Sequence, residues 1–207
     1  MLGRSARGQV AGRGVLVSVV VTALLFSPGP RALAEGAAPA DDAPVRAPGD
    51  LAVTAWRDEL PQESVNVILQ ARDGHLWLGT YEGLVRFDGI RFSVFDSRNV
   101  PIMKRPAILS LAEDAEGGLW IGTQRGGLLR MKDGRFEAWT TSQGLASDEV
   151  FALLVDRWNG LWIGTGRGVN RLSAGRIQSF PAASGAPTEP VVSLAETPDG
   201  TIWAGSN

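Results

Sequence analysis

Gly164-Thr165-Gly166-Arg167-Gly168 has the make-up of a phosphate cradle: closely spaced glycines that free backbone amides, and a guanidinium among them. Such loops hold phosphate because a helix opens directly behind them and aims its first N–H groups at the anion. No helix-forming run follows here, and the glycines recur at matching places elsewhere in the chain, so their spacing reads as structural. The acid pairs Asp41-Asp42, Asp58-Glu59 and Asp148-Glu149 are the residue types that general acid–base catalysis uses. They stand in linker or loop contexts with no partner in view, which predicts solvated surface. His75 is the only histidine and there is no cysteine, which excludes thiolate zinc sites, cysteine nucleophiles, disulfides and any site needing two imidazoles. His75 falls in a turn and reads as an exposed polar residue. The sequence therefore predicts no catalytic residues, no metal site and no cofactor.

The repeated element around those glycines is the stronger signal. D-G-H-L-W-L-G-T, E-G-G-L-W-I-G-T, N-G-L-W-I-G-T and D-G-T-I-W-A-G-S place Trp77, Trp120, Trp162 and Trp203 at spacings of 43, 42 and 41 residues. A period of about 40–45 residues is that of four-stranded propeller blades, although helical repeats of similar length exist. The pattern inside each unit decides. In the first, VNVILQA (65–71), LWLGT (76–80), LVRF (84–87) and RFSVF (91–95) are short runs of β-formers cut by Asp73-Gly74 and Asp88-Gly89. Asp-Gly between such runs is a strong hairpin signal. The second and third units repeat the plan, closing their last hairpins at Asp133-Gly134 and Ala174-Gly175. Each unit is predicted to be an antiparallel meander, and the fold class all-β.

Within a unit, Trp77, Trp120, Trp162 and Trp203 are expected to fill the space between blades. Gly79, Gly122, Gly164 and Gly205 are expected to permit a close backbone approach. Thr80, Thr123, Thr165 and Ser206 are placed to hydrogen-bond at the following turn. Gly83, Gly126 and Gly168 are expected to take that turn through positive φ.

Residues 1–34 read as an export signal: Arg4, Arg7 and Arg13, then the apolar VLVSVVVTALLF (15–26), then SPGP and Ala32-Leu33-Ala34 before the expected cut. The apolar run is shorter than the roughly 20 residues a membrane-spanning helix needs. Residues 35–50, rich in Ala, Pro and Asp, are expected to be a flexible linker. That leaves 51–207 for a partial propeller with repeats at about 62–105, 106–148, 149–189 and 190–207, or about three and a half blades. With 20 basic and 22 acidic residues, net charge −2, no global field favours nucleic acid.

Leu60 to Phe92, LPQESVNVILQARDGHLWLGTYEGLVRFDGIRF, resembles the two-component regulator propeller repeat, and the resemblance extends over 51–207. It departs from the pattern in the third unit, where Asn159-Gly160 is displaced by one residue from the D-G of the first and NRLSAG replaces RFDG. The resemblance implies the extracytoplasmic sensor of a membrane receptor whose output is a histidine kinase or diguanylate cyclase. It implies a periplasmic location tethered to the inner membrane, with further blades, output domains and a second copy of the receptor in a homodimer as partners. No such output motif stands in these residues, so this chain is expected to be non-catalytic.

Strand parity assigns the faces. The first and third turns of each meander fall on one side of the disc, and the second turn and the connection to the next blade on the other. That second side carries Tyr81, Glu82, Gln124, Arg125 and Arg167, together with the long connections 96–106, 140–149 and 181–190. Long loops on a rigid frame are where recognition concentrates. These five residues are the candidate contacts for a small-molecule or oligosaccharide ligand, with Arg125 and Arg167 suited to carboxylate or sulfate.

Overall fold

The structure, a computed structural model, describes residues 60, 64–180 and 182–206, all within the compact unit Trp56–Asn207. The expected signal, the linker and the pairs Asp41-Asp42 and Asp58-Glu59 lie outside the described residues. The first blade is β1 (Val65–Gln70), β2 (Leu76–Thr80), β3 (Leu84–Phe87) and β4 (Phe92–Phe95). The second is β5 (Ile108–Glu113), β6 (Leu119–Thr123), β7 (Leu128–Lys132) and β8 (Arg135–Trp139). The third is β9 (Val150–Val155), β10 (Leu161–Thr165), β11 (Gly168–Ser173) and β12 (Arg176–Ser179), and β13 (Val191–Glu196) pairs with β14 (Ile202–Ser206) in a fourth, two-stranded sheet. Every sheet is an antiparallel meander in chain order, and the blades pack through their first strands, β1 on β5, β5 on β9 and β9 on β13. The all-β propeller plan holds.

The cores lie between blades, and the tryptophans are in them. Trp77 and Leu84 of the first blade share one cluster with Ile108, Leu111, Ile121 and Leu129 of the second. Trp120 and Leu128 share another with Val150, Leu161, Ile163 and Leu172 of the third. Trp120 is 7% exposed, whereas Trp203, with no described sheet beyond it, is 63% exposed. Burial of the Trp thus follows from the neighbouring blade, not from the blade that carries it.

The glycine two residues after each Trp sets the spacing. A Cβ on Gly79 would lie 2.6 Å from the Ile108 side chain, one on Gly122 2.7 Å from Val150, and one on Gly164 2.6 Å from the Val191 carbonyl. In each case the neighbour is the first residue of the next inner strand, and Ile108, Val150 and Val191 are fully buried. The inner strands bulge at that point: the pairing skips Asn66, Leu109, Phe151 and Val192 in turn. A bulge adds local twist, and here all four inner strands take it at the same place. Gly126 is a correction: the second repeat has one more turn residue, and Gly127, at φ 78°, takes the positive conformation instead.

Connections are anchored by one buried side chain set five residues before the next inner strand. It is Met103 ahead of Ile108 and Leu145 ahead of Val150, both buried, and the smaller, half-buried Ala186 ahead of Val191. The connection into the third blade is also pinned by Asn170, which is fully buried, accepts from Ala146 N at 3.0 Å and donates to Ser179 Oγ at 2.6 Å.

Candidate ligand-binding face

Each second turn is built by its threonine. Thr80 Oγ1 donates to Gly83 O at 2.9 Å and accepts from Glu82 N at 3.2 Å. Thr123 Oγ1 donates to Gly127 O at 2.8 Å and accepts from Gly126 N at 2.7 Å. Thr165 Oγ1 donates to Gly168 O at 2.9 Å and accepts from Arg167 N at 3.1 Å. A buried hydroxyl used in both directions fixes the turn and turns its middle residues outward.

The same turns are tied to the connections, which places both on one face as strand parity requires. Gln124 N donates to Ala107 O at 2.9 Å and Gly127 N to Asp148 O at 3.0 Å. In the third blade Gly166 N donates to Glu149 O at 2.9 Å and Gly168 N to Glu189 O at 3.1 Å. The connection between the second and third blades is ordered further by a capping box, with Thr140 N donating to Gln143 Oε1 at 2.9 Å and Thr141 N to Asp148 Oδ1 at 2.7 Å. Asp148 is therefore a half-buried part of the loop, not freely solvated surface.

On this face Tyr81, Glu82, Gln124, Arg125 and Arg167 are all exposed. Their side chains make no hydrogen bond or ion pair within 4 Å among the described residues; Glu82 exerts a longer-range pull on Arg98. They share a structural position, a pair in each of the first two blades and Arg167 in the third. A cavity on the molecule lies on the opposite face instead, lined by Arg130, Lys132, Asp133, Arg135 and Glu137 around the third turn of the second blade. Among the described residues no group of three or more His, Asp or Glu side chains is spaced to hold a metal ion.

The opposite face carries polar constructions that sequence reasoning missed. Asp114 Oδ1 accepts from Glu116 N at 2.9 Å and Gly118 N at 2.8 Å, and its Oδ2 accepts from Trp120 Nε1 at 3.0 Å and Arg130 Nη2 at 2.6 Å. The Arg130 guanidinium lies over the Trp120 ring, 5.2 Å from its centre. Asp156, Trp162 and Arg171 repeat the node in the third blade at 2.9 and 2.7 Å. Burial pushes both carboxyls up, but the Gly118 and Gly160 amides and the Arg130 and Arg171 guanidinia outweigh it and hold them below the usual range. The signal was present in D-x-x-x-G-L-W at 114–120 and 156–162, with an arginine on the next strand. A second construction joins neighbouring blades: Arg72 N donates to Glu113 Oε2 at 2.9 Å, and Arg157 grips Glu196, Thr197 and Pro198. His75 differs from its expectation too, being half-buried with Nδ1 2.8 Å from Asp73 Oδ2, close enough for an ion pair yet off the line of a good hydrogen bond.

These blades, with their interlocked tryptophans and threonine-built turns, define a repeat propeller. The two component regulator propeller family matches four times, at 59–82, 104–125, 144–167 and 185–207, and the chain belongs to that family. Among solved structures it is similar to the extracellular domain of the hybrid two component system BT3049 from B. thetaiotaomicron, at 26% identity and TM-score 0.62, covering 68% of this chain and 20% of that one. The extracellular domain of the one component system BT4673 from the same organism aligns at 17% identity and TM-score 0.57, over 71% of this chain and 22% of that one. The virginiamycin B lyase of Staphylococcus aureus shares the fold at 17% identity and TM-score 0.57, over 76% of this chain and 54% of that one. The chain thus spans about a fifth of the length of the two extracellular domains. No curated protein matches it, and among the described residues no helix is long and apolar enough to cross a membrane.

Proposed function

We propose that this chain is the ligand-sensing propeller module of an extracytoplasmic signalling receptor, held at the inner membrane on its periplasmic side. Its output would be a histidine kinase or diguanylate cyclase carried by other parts of the receptor. The observation that carries the reading is the family match together with the likeness to the extracellular domain of a hybrid two component system. Further blades and the output domains are the expected partners, with a homodimer as the signalling unit and a small molecule or oligosaccharide as ligand. The module itself performs no chemistry in this reading. The lyase supports only the fold, because at its identity an active site does not carry over.

Recognition falls to the loop face, since its turns are rigid while their middle side chains are exposed and free of hydrogen bonds. The expected result is that Arg125→Ala and Arg167→Ala in the receptor weaken its response to ligand without lowering the melting temperature. Asp73→Ala and Asp133→Ala, on the opposite face, should leave the response unchanged. A dose–response shift confined to the opposite-face variants overturns the choice of face. Fractionation of the producing cell tests the receptor reading: the product should sediment with membranes and exceed the 22.0 kDa of this chain. A soluble periplasmic product instead favours a free-standing binding propeller.

A further inference from the structure

The loop face is not uniform in charge, and the exception is the second blade. Two residues before the inner strands of the first, third and fourth blades the sequence has Glu63, Asp148 and Glu189, but before the second it has Pro106, preceded by Lys104 and Arg105. Residues 101–112 and 119–131, which take in the later part of the connection, most of the inner strand and the second turn of that blade, contain no acid; Asp96 at the start of the connection and Glu113 at the end of the strand are paired with Arg98 and Arg72. Lys104, Arg105 and Arg125 are all exposed. None of the three makes an ion pair among the described residues, while Arg72, Arg98, Arg130, Lys132, Arg157 and Arg171 all do.

The three cations are held near one another by backbone. Gln124 N donates to Ala107 O at 2.9 Å, which docks the second turn on the connection. A Cβ on Gly126 would lie 3.5 Å from the Arg105 carbonyl. The segment carrying Lys104 and Arg105 is itself anchored by Met103, which is 1% exposed in the interblade core, and is stiffened by Pro101 and Pro106. The acid docked beside this turn, Asp148, makes no ion pair with them and accepts from the Thr141 amide instead, so these like charges repel one another and a bound anion relieves that repulsion.

We propose that Lys104, Arg105 and Arg125, with the Gln124 amide beside them, form a binding site for a group bearing two or more negative charges. Phosphate esters, sulfate esters and paired carboxylates share that chemistry. This rests on the loop face being the sensing face and assigns the anionic group of a ligand to the second blade, leaving Arg167 to contact other parts of it. Arg167 lies outside the site: its turn is flanked by Glu149, whose Oε2 would be 2.8 Å from a Cβ on Gly166.

Inorganic pyrophosphate is a suitable probe, titrated into the full chain at low ionic strength with amide resonances followed by NMR and chloride at matched ionic strength as control. The expected result is saturable shifts at Lys104, Arg105, Gln124 and Arg125. Removing one cation by Lys104→Ala, Arg105→Ala or Arg125→Ala should weaken binding about two- to fivefold, as for exposed charge pairs, and the triple variant should abolish it. Arg167→Ala should leave it unchanged. Citrate should shift the same amides if the site reads charge rather than phosphorus. Shifts centred on Arg167 or Arg135, shifts no larger than those with chloride, or binding that survives in the triple variant would each overturn the site while leaving the receptor reading intact. A soluble product with no membrane partner would sink the receptor reading and leave pyrophosphate binding untouched.

Discussion

The first blade and the two that follow it solve the same corner in different ways. In the second and third blades an aspartate, Asp114 or Asp156, gathers two backbone amides, a Trp N–H and a guanidinium. Four residues on stands a glycine, and a Cβ there would lie 2.6 Å from Asp114 Oδ2 on Gly118 and 2.8 Å from Asp156 Oδ2 on Gly160. The first blade has Ala71 and His75 at these two places, with the same Ala71 N to His75 O bond at 2.9 Å. The carboxylate and the side chain four residues on compete for one volume, so when one is lost the other can grow. Arg86, the counterpart of Arg130, is left with no hydrogen bond among the described residues, and its Nε is buried. Two positions vary as a unit because sterics couples them.

Removing the node tests this most severely. Asp114→Ala would leave Trp120 and two amides without their acceptor and Arg130 with only the exposed Glu116 as partner. Breaking a buried ion pair costs about 3–5 kcal/mol, and since Arg130 keeps some contact with water we expect about 2–4 kcal/mol. Urea unfolding of the full chain should show the loss as a lowered midpoint. Asp73→Ala, at an exposed turn position of the first blade, should change it by less than about 0.5 kcal/mol. Equal losses at the two sites would remove the distinction between blades.

Interblade spacing gives the next largest effect. Gly122→Ala pushes a methyl to 3.0 Å from the Val150 carbonyl and 2.7 Å from its side chain, and the backbone there cannot retreat without parting the blades. Overpacking of this kind costs about 1–3 kcal/mol. Gly205→Ala, in the fourth sheet, meets only the Ser193 side chain, which can rotate away, with the Ser193 carbonyl at 4.0 Å. Its effect on thermal melting should be close to nil. If both substitutions lower the melting temperature alike, the glycine serves its own sheet rather than the neighbour's.

Much of this was legible in the sequence, for a physical reason. Trp spacing, Asp-Gly turns and short β-runs are local signals, and the strands, the sheet order and the interblade Trp follow from them. The second-turn threonines behave as their type predicts because the partner lies three or four residues away. What was hidden depends on contacts between units. The Arg72–Glu113 and Arg157–Glu196 clamps join residues about 40 positions apart, and no local rule links them. The aspartate node was overlooked because Asp at the end of a strand reads equally well as a turn residue. Gly126 was misassigned in favour of Gly127 because one inserted residue shifts the whole turn. The candidate contacts were placed on a common face, but Lys104 and Arg105 stood out only once the connection was seen docked on the second turn.

Acid should weaken the second and third blades through their aspartate nodes. The carboxyls of Asp114 and Asp156 are held below their ordinary value, so each binds its proton more readily in the unfolded chain. The stability they contribute is then complete above about pH 4, the unfolded carboxyl's own range, and is lost as pH falls through the lowered folded value. Unfolding midpoints followed from pH 6 downwards should fall in that window, and Asp114→Asn should flatten the curve. An unchanged slope in that variant would mean that other carboxylates dominate.

The smallest expected effect is the most direct check on the coupling. Ala71→Asp alone places a carboxylate against the His75 side chain and should not stabilise the chain. His75→Gly alone removes the imidazole that shares this corner and adds backbone entropy to the unfolded state, so it should destabilise slightly. Together they recreate the arrangement of the second blade, with Arg86 and Trp77 positioned to donate to the new aspartate. The double variant should therefore be more stable than the two single effects predict, by about 0.5–3 kcal/mol of coupling, for a net change near 1 kcal/mol or less. The cycle can be read from urea midpoints of four proteins under one condition. Strict additivity would show that Ala71 and His75 do not share a volume, and the first blade would then differ from its neighbours for some reason other than the competition between a carboxylate and a side chain.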